Sequence, residues 1–228
     1  MVAGEIVAAA RREGRRILCE DEAKEVLRRA GVPVVPCRLA ASEDEAVALA
    51  EEMGYPVVLK VRSPLIVHKT EAGGVALDLR GEAEVRRAYR GILSRAAALD
   101  PRALVSVQPM APPGREVIVG VTGDPHFGPV IMAGLGGVLA EILEDVSFRL
   151  LPVAREEAVR MLRSLRGYRL LAGYRGVPPA DIEALADLLV KVSGLMEAHP
   201  EIGELDLNPV LVYERGLVVA DARLVLAG

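Results

Sequence analysis

Two acidic side chains and one amide near the end of the chain have the spacing of ligands for a hard cation. Asp206 and Asn208 are two residues apart in a predicted strand, so both point to the same face. If Glu214 and Arg215 form a two-residue turn, Asp221 lies opposite Asn208, with Cβ atoms about 4.5–5.5 Å apart. Such oxygen ligands suit Mg²⁺ that also holds nucleotide phosphates. The pattern therefore predicts a magnesium site at these three residues.

Other interpretations of this strand stay open. A three-residue turn would shift the pairing by one residue unless a bulge restored it, and acidic strand faces are often simply solvated. However, Asn208 is the only asparagine of the chain and Gln108 the only glutamine. A composition so poor in amides is typical of proteins from hot habitats, although coding bias and chance would also produce it. We expect each surviving amide to do something that a carboxylate cannot, such as donate a hydrogen bond.

A loop of basic residues between two predicted strands has the composition of a polyphosphate site. Its members are Lys60 near the end of the first strand, then Arg62, His68 and Lys69, and finally Gly73 and Gly74. Positive charge and accessible glycine N–H groups both favour phosphate oxygens. A lysine that snorkels from a strand end and a solvated loop histidine are the structural alternatives. The glycine spacing of a P-loop is absent before Lys69.

Composition narrows the class of protein. The chain has 228 residues, 51% hydrophobic and 26% charged, which is enough for one large domain or two lobes. A net charge of −4 argues against a nucleic-acid partner. We predict neither a secretion signal nor a membrane partner, since the longest apolar run, Pro129–Ala140, is too short to span a bilayer. Cys19 and Cys37 form no CxxC motif and are expected to be buried thiols of a cytoplasmic protein, with a disulfide as the alternative.

Caps, turn residues and β-branched runs predict the elements that position these side chains. Helices are predicted at Glu20–Ala30, from the Ser42 cap to about Met53, and at Glu82–Leu99, Arg155–Leu165 and Ala180–Ala198. Strands are predicted at Val57–Val61, Val75–Leu79, Ala103–Gln108, Arg115–Thr122, Gly128–Ala133, Ile202–Tyr213 and Leu217–Leu224. Strands mixed with helices, and a change of character near Gln108, predict an α+β fold of two lobes.

Several segments, in this order, resemble the β subunit of ADP-forming acyl-CoA synthetases, also called ADP-forming acetate–CoA ligases. They are Gly54–Lys60, Ser63–Val75, Gly114–Gly120, Asp124–Met132, Gly134–Gly137 and Glu204–Pro209. The resemblance extends from about Glu20 to Leu226. It implies an ATP-grasp fold, in which the nucleotide binds between two α/β lobes, related to the nucleotide-binding part of succinyl-CoA synthetase. It also implies an N-terminal helical segment at 1–32 that packs on the large lobe, a small lobe at 33–107 and a large lobe at 108–228.

The resemblance implies a reaction and a partner as well. The reaction would be acyl-CoA + ADP + phosphate ⇌ acid + CoA + ATP, with Mg²⁺ and ATP or ADP as cofactors. A separate α subunit would bind CoA and carry a phosphorylated histidine, in an α2β2 assembly. The chain contains no CoA-binding Rossmann motif, so we expect activity only with that partner. Two other functions stay open, namely another ATP-grasp carboxylate ligase and a noncatalytic nucleotide-binding module that regulates an acyltransferase.

By the same resemblance, individual residues acquire expected roles. Nucleotide contacts are expected from Lys60, Gln108, Met110 and Glu116, together with Gly73 and Gly74 of the basic loop. His68 would accept the phosphoryl group transiently, with Lys69, Gly136 and Gly137 near the transfer site. Asn208 and Asp221 match the Mg²⁺ ligands, and Asp206 lies beside them. Two positions depart from the family, His126 where a residue such as Gln is expected and Pro109 where Glu is frequent.

Overall fold

Residues 3–66, 68–137 and 145–228 are described by the structure, a computed structural model. They form two units. The small unit comprises Cys19–Lys24 and Val35–Pro112, and the large unit the described residues of Met1–Leu18, Glu25–Val34 and Pro113–Gly228. The domain boundaries predicted above keep residues 1–32 together, whereas Cys19–Lys24 belong to the small unit. Val67, in the basic loop, and residues 138–140 of the long apolar run lie outside the described residues.

The small unit is an antiparallel sheet covered on one face by two helices. Its strands are β1 (Arg38–Ala40), β2 (Val57–Arg62), β3 (Val75–Leu79) and β4 (Leu104–Pro109), in the order β1-β4-β2-β3. Its helices are α3 (Glu43–Met53) and α4 (Glu82–Ala96). Helix α3 begins as predicted at Ser42, whose hydroxyl accepts a hydrogen bond from the backbone N–H of Glu45 at 3.1 Å.

The two faces of the small sheet differ because side chains alternate along each strand. Val57, Leu59 and Val61 of β2 point into the apolar core formed with α3 and α4. Burying a side chain such as Leu59 stabilises the unit by about 1.5–3 kcal/mol. The intervening Lys60 of β2 therefore points to the opposite face, and so does Gln108 of β4. This second face is polar, and it is also buried.

The large unit is built on a six-stranded antiparallel sheet. Its strands are β5 (Arg115–Asp124), β6 (Gly128–Leu135), β7 (Val146–Leu150), β8 (Ile202–Val212), β9 (Leu217–Val219) and β10 (Ala222–Leu226). The order is β10-β8-β5-β6-β7, and β9 also pairs with β8. Its helices are α1 (Ala3–Arg12), α5 (Arg155–Arg163), α6 (Tyr168–Ala172) and α7 (Ile182–Ala198). Helix α2 (Glu20–Arg29) contributes its first residues to the small unit and the rest to the large unit.

The structure agrees with most predicted elements and adds three more. Helix α1 lies within the helical segment expected at 1–32, and its buried Ala3, Ile6, Val7 and Ala10 have the i, i+3, i+4, i+7 spacing of an amphipathic helix. Strand β1, strand β7 and helix α6 have three to five residues each, which is too short for a clear periodic pattern. The predicted final strand is divided into β9 and β10 at Ala220 and Asp221.

The final hairpin has the register that a two-residue turn predicts. Val212 pairs with Leu217, and the backbone N–H of Tyr213 donates to the carbonyl of Gly216 at 3.0 Å. The same register continues into β10, where Leu207 pairs with Ala222. We call strands β8, β9 and β10 the acidic hairpin.

Two further sequence predictions concern membrane-spanning helices and the two cysteines. No helix in the described ranges is long and apolar enough to cross a membrane. In the described part of the chain, Cys19 and Cys37 are thiols rather than partners in a disulfide. Cys19 is buried as expected, whereas Cys37 is half-buried.

The turn of the acidic hairpin is fixed by one carboxylate, which generates a stability prediction. Asp181 caps α7 by accepting from the N–H of Ala184 at 2.9 Å, and it also accepts from the N–H of Gly216 at 2.7 Å. These two N–H groups lower the pKa of Asp181. We expect Asp181→Ala to reduce the free energy of unfolding by about 1–3 kcal/mol, measured by guanidinium unfolding at pH 7.

The pH dependence follows from the direction of the shift. Because the folded pKa is depressed, the charged form stabilises the fold above the unfolded pKa of about 3.9, and this contribution is lost as the pH falls through the folded pKa. The difference between wild type and Asp181→Ala should therefore shrink in acid. Asp181→Asn is the matched control, since it keeps one acceptor and should lose only part of the stability. Equal stability of all three proteins at pH 7 would contradict this role.

Candidate functional site

Three of the four lysines of the chain converge on one buried carboxylate in the small unit. Oε1 of Glu20 lies 2.7 Å from Nζ of Lys60 and 2.9 Å from Nζ of Lys24. Oε2 of Glu20 accepts from Nζ of Lys69. The side chains of Glu20, Lys24 and Lys60 are 6%, 3% and 9% exposed, and that of Lys69 is 17% exposed. Lysines from α2, from β2 and from the basic loop thus meet at Glu20, in the first turn of α2.

Gln108 completes this group. Its Oε1 accepts from Nζ of Lys24 at 2.6 Å, and its Nε2 donates to Oε1 of Glu20 at 2.8 Å. A glutamate at this position could accept from the lysine, but it would repel Glu20 instead of donating to it. The expectation that the only glutamine does what a carboxylate cannot is therefore confirmed. We call Glu20, Lys24, Lys60, Lys69 and Gln108 the lysine cluster.

The charged groups of the lysine cluster shift one another's pKa values. Burial alone would raise the pKa of Glu20, but the ammonium groups of Lys60, Lys24 and Lys69 outweigh it and hold that pKa well below its usual range. Burial lowers the pKa of Lys24, and the neighbouring carboxylate opposes this effect only in part. Several buried lysines with a perturbed carboxylate among them make this cluster a candidate site for an anion.

The double glycine shapes the loop that carries Lys69. The N–H of Gly74 donates to the carbonyl of Lys69 at 2.7 Å, and the N–H of Gly73 donates to the carbonyl of Thr70 at 3.0 Å. A Cβ at Gly74 would lie 2.4 Å from a methyl group of Val61, so only glycine allows the loop this close to β2. The expectation that these two N–H groups are open to phosphate is wrong for this structure, because both close the loop.

Two other predicted residues of the small unit lie outside the lysine cluster. The side chain of His68 is exposed, and its carbonyl accepts from the N–H of Ala72 at 3.1 Å, which fixes the start of the turn. Met110 follows β4 and is 37% exposed. Its N–H donates to the carbonyl of Pro56 at 2.9 Å, so this backbone donor is already used within the small unit.

In the large unit, the acidic hairpin brings the predicted metal ligands together. Asp206 and Asn208 are exposed and alternate with the buried Leu205 and Leu207, so both lie on one face of β8 as predicted. The backbone N–H of Asn208 donates to the carbonyl of Asp221 at 3.2 Å, as expected for directly opposed residues. The predicted pairing of Asn208 with Asp221 is therefore confirmed.

The electrostatics of this face fit a cation. Partial desolvation raises the pKa of Asp206 even though its side chain is exposed; Asp221 raises it further, while Arg223 opposes the shift. The mutual repulsion of Asp206 and Asp221 is the kind that a divalent cation relieves. Among the described residues, no three His, Cys, Asp or Glu side chains form a group that could hold a metal ion. The predicted set has only two carboxylates and one amide, which suits Mg²⁺ that takes its other ligands from phosphates and water.

The third predicted group of the large unit is Glu116 with the glycines that follow β6. The N–H of Gly136 donates to the carbonyl of Glu116 at 2.7 Å, and a Cβ at Gly136 would lie 2.9 Å from the Glu116 backbone. A Cβ at Gly137, where φ is 63°, would lie 2.8 Å from Oε2 of Glu116. Both glycines are therefore required for the glycine-rich segment to pack on Glu116, an exposed residue near the start of β5.

Sequence reasoning missed Glu20 and Lys24. They are one turn apart on α2, where an i, i+4 pair is normally a solvated surface pair. The available signal was the scarcity of lysine, since Lys24 is one of only four. Arg62 of the basic loop also contacts this turn, at 3.3 Å from Asp21 and 3.3 Å from Glu22. The start of α2 is thus fixed to the sheet by ion pairs that sequence does not reveal.

Comparison with known proteins agrees with this fold. The family described as ATP-grasp domain matches residues 9–226, so the chain has the ATP-grasp fold with mixed helices and strands. The β subunit of ADP-forming acetate–CoA ligase I from Pyrococcus furiosus is 47% identical over 227 residues, which are 98% of this chain and 97% of that subunit.

Two solved structures of the dinucleotide-forming acetyl-coenzyme A synthetase 1 of Ca. Korarchaeum cryptofilum also match. One, with coenzyme A, Ca-AMPCP and HgCl⁺, has a TM-score of 0.93 and 45% identity, and the match covers 99% of this chain and 100% of that one. The other, with coenzyme A and Mg-AMPPCP and with a phosphohistidine segment that points towards the nucleotide binding site, has a TM-score of 0.87, 44% identity and the same coverage. The chain therefore belongs to the family of ADP-forming acetate–CoA ligase β subunits.

The acidic hairpin generates a binding prediction. Asn208→Ala and Asp221→Ala should each weaken Mg·ADP binding by at least about tenfold, equivalent to 1.4 kcal/mol, because each removes an oxygen ligand. Isothermal titration calorimetry measures the affinity, and circular dichroism confirms the fold. Binding should also weaken in acid, as protons compete with Mg²⁺ at Asp206, whose pKa is raised.

Glu204 supplies the matched control, since it lies on the same face of β8 but pairs with Arg223 at 3.5 Å. Glu204→Ala should bind Mg·ADP like the wild type. Unchanged affinity in both Asn208→Ala and Asp221→Ala would refute the magnesium assignment.

Proposed function

We propose that the chain is the nucleotide-binding subunit of an ADP-forming acyl-CoA synthetase and transfers a phosphoryl group from a phosphohistidine to ADP. The observation that carries the proposal is the lysine cluster, in which three lysines meet at one buried carboxylate in a member of this family. The overall reaction would be acyl-CoA + ADP + phosphate ⇌ acid + CoA + ATP. Relatives that carry this name, and neighbours that contain adenine nucleotide analogues, support the assignment.

We propose the following roles for individual residues in nucleotide binding. Lys60 and Lys69 would contact phosphate oxygens, with Gln108 holding Glu20 and Lys24 behind them. The carbonyl of Met110 would accept from the base, and Glu116 would line the nucleotide site. Gly73, Gly74, Gly136 and Gly137 would contribute by shaping the two loops rather than through side chains. Asn208 and Asp221, with Asp206 beside them, would hold Mg²⁺, which when bound offsets charge on the phosphate oxygens.

His68 is proposed as the transient phosphoryl carrier of this subunit. An imidazole nitrogen is nucleophilic near neutral pH, and the exposed side chain of His68 is accessible to a partner. As its N–P bond forms, the N–P bond to the partner's phosphohistidine breaks. In the second step, a β-phosphate oxygen of ADP forms the new P–O bond while the N–P bond to His68 breaks, and the imidazole becomes neutral again. Nearby Lys69 would neutralise charge on the transferring oxygens.

A partner must supply the CoA site. The name of the relative as a β subunit, and the coenzyme A in the related structures, support a CoA-binding α subunit with a phosphorylated histidine. We propose an α2β2 assembly of the two chains. The thiols of Cys19 and Cys37, both in the described part of the chain, fit the reducing conditions of the cytoplasm.

The experiment that tests this proposal distinguishes the role of His68 from the chemistry of the α subunit. With a co-purifying α subunit, the chain should form ATP from acyl-CoA, ADP and phosphate, and alone it should bind Mg·ADP without turnover. His68→Ala should abolish ATP formation, whereas the α subunit should still become labelled by radioactive phosphate in a rapid-quench assay. His126→Ala, which removes another exposed histidine, should leave the rate unchanged.

Two results would contradict the proposal. ATP formation by the His68→Ala complex at a near wild-type rate would mean that phosphate passes directly from the α subunit to ADP. Failure of the wild-type chain to bind Mg·ADP would remove the nucleotide-binding assignment itself.

A further inference from the structure

We propose that the C-terminal end of α4 positions His68 for phosphoryl transfer, because it holds both ends of the segment 63–73 of the basic loop. Arg95, in the last turn of α4, and Asp100, four residues after the end of that helix, are the positioning residues. Both act through the loop backbone or Ser63 and have no contact with phosphate in this proposal. The inference rests on the proposed function, since it assumes that His68 accepts the phosphoryl group.

The start of the segment is tied to Asp100 through Ser63. Oγ of Ser63 donates to Oδ2 of Asp100 at 2.7 Å and accepts from the N–H of Leu65 at 3.1 Å. Asp100 is buried, and its other oxygen accepts from the N–H of Arg102 at 3.0 Å. The Ser63 hydroxyl and the Arg102 N–H lower the pKa of Asp100. The carboxylate is therefore charged near neutral pH, which strengthens its hydrogen bond to Ser63.

The end of the segment is tied to Arg95 through Gly73. Nη1 of Arg95 donates to the carbonyl of Gly73 at 3.0 Å. A Cβ at Gly73, where φ is 64°, would lie 2.8 Å from Cδ of Arg95, so the arginine side chain lies directly against the loop backbone. The N–H of Ala72, the residue before Gly73, donates to the carbonyl of His68 at 3.1 Å. A displacement of Gly73 would therefore be passed on to His68.

Between these two ends, the segment has one apolar anchor. Ile66 is buried in the apolar core of the small unit, whereas the side chain of His68, two residues later, is exposed. Burial of Ile66 fixes how deep the segment lies, but apolar burial has no preferred direction, whereas hydrogen bonds do. The contacts at the two ends therefore set the direction of His68. Direction matters for transfer, because a misplacement of about 1 Å can cost on the order of a hundredfold in rate.

Arg87 shows that the position of Arg95 is more than that of a surface arginine on α4. The two residues are eight apart, so they lie on the same face of the helix. Both are exposed, and both line a cavity of about 490 Å³ between β3 and α4. Of the two, Arg95 donates to the basic loop. Arg87→Met is therefore a matched control, since it removes the same charge from the same face.

The test is the rate of ATP formation from acyl-CoA, ADP and phosphate by the chain in complex with a co-purified α subunit. Arg95→Met should lower kcat at least about tenfold, because the loop end is released. Arg95→Lys keeps a donor for the carbonyl of Gly73 and should restore most of the rate. Ser63→Ala should also lower kcat, and Arg87→Met should match the wild type. Circular dichroism confirms that each variant is folded, and Ser63→Ala, which removes one hydroxyl, serves if Arg95→Met does not fold.

A spectroscopic measurement on the chain alone reports the position of His68 directly. The chain has three histidines, so histidine labelled with ¹³C at Cε1 gives three NMR signals. Arg95→Met should shift or broaden the signal of His68 and leave those of His126 and His199 in place. An unchanged His68 signal would overturn the inference even if the rate fell, because the loss would then have another cause.

His68→Ala separates failure of this inference from failure of the proposed function. A near wild-type rate in His68→Ala would mean that the carrier role itself is wrong. If His68→Ala is inactive while Arg95→Met and Ser63→Ala keep the wild-type rate, only the positioning role is wrong. An equal loss in Arg95→Met and Arg95→Lys would also overturn the inference, since the donor to Gly73 would then be irrelevant. The same holds for an equal loss in Arg87→Met, which would indicate a general effect of charge on α4.

Discussion

The buried carboxylate of Glu20 holds three ammonium groups together, and the rest of the small unit is arranged around this contact. The alternation of β2 sends Leu59 into the apolar core and Lys60 to the opposite face, where the first turn of α2 supplies Glu20. The double glycine lets the basic loop approach β2 closely enough for Lys69 to reach the same carboxylate. Strand β2, helix α2 and the basic loop therefore each contribute a lysine to this contact, and all three elements help to bury it.

The large unit depends on a geometric constraint instead. A two-residue turn at 214–215 fixes the register of the acidic hairpin, and that register places Asn208 opposite Asp221 across several residues of strand. Asp181 holds the turn through Gly216. Desolvation raises the pKa of Asp206, and the neighbouring Asp221 raises it further, so this face favours a bound cation.

The amino-acid sequence was enough to predict the features of the site that depend on local geometry. Strand alternation and turn length were enough for the pairing of Asn208 with Asp221, and the scarcity of amides was enough to single out Gln108. Glu20 and Lys24 were not predicted, because their partners are 40 and 84 residues away in the chain and their spacing resembles that of a surface pair. The N–H groups of Gly73 and Gly74 were wrongly predicted to be open to phosphate, because both donate hydrogen bonds to carbonyls within the loop itself. Motif reasoning identifies the residues, but tertiary contacts decide which of their groups remain available.

The central claim, that nucleotide phosphates bind at the lysine cluster, can be tested directly because the chain has only four lysines. Lysine labelled with ¹³C at Cε gives one NMR signal for each. Lys191 is an internal control, since its Nζ donates to the carbonyl of Gly31 at 2.8 Å, outside the lysine cluster. On titration with Mg·ADP, the signals of Lys60 and Lys69 should shift most, that of Lys24 should also shift, and that of Lys191 should stay in place. Unshifted signals of Lys24, Lys60 and Lys69 at saturating Mg·ADP would contradict the account.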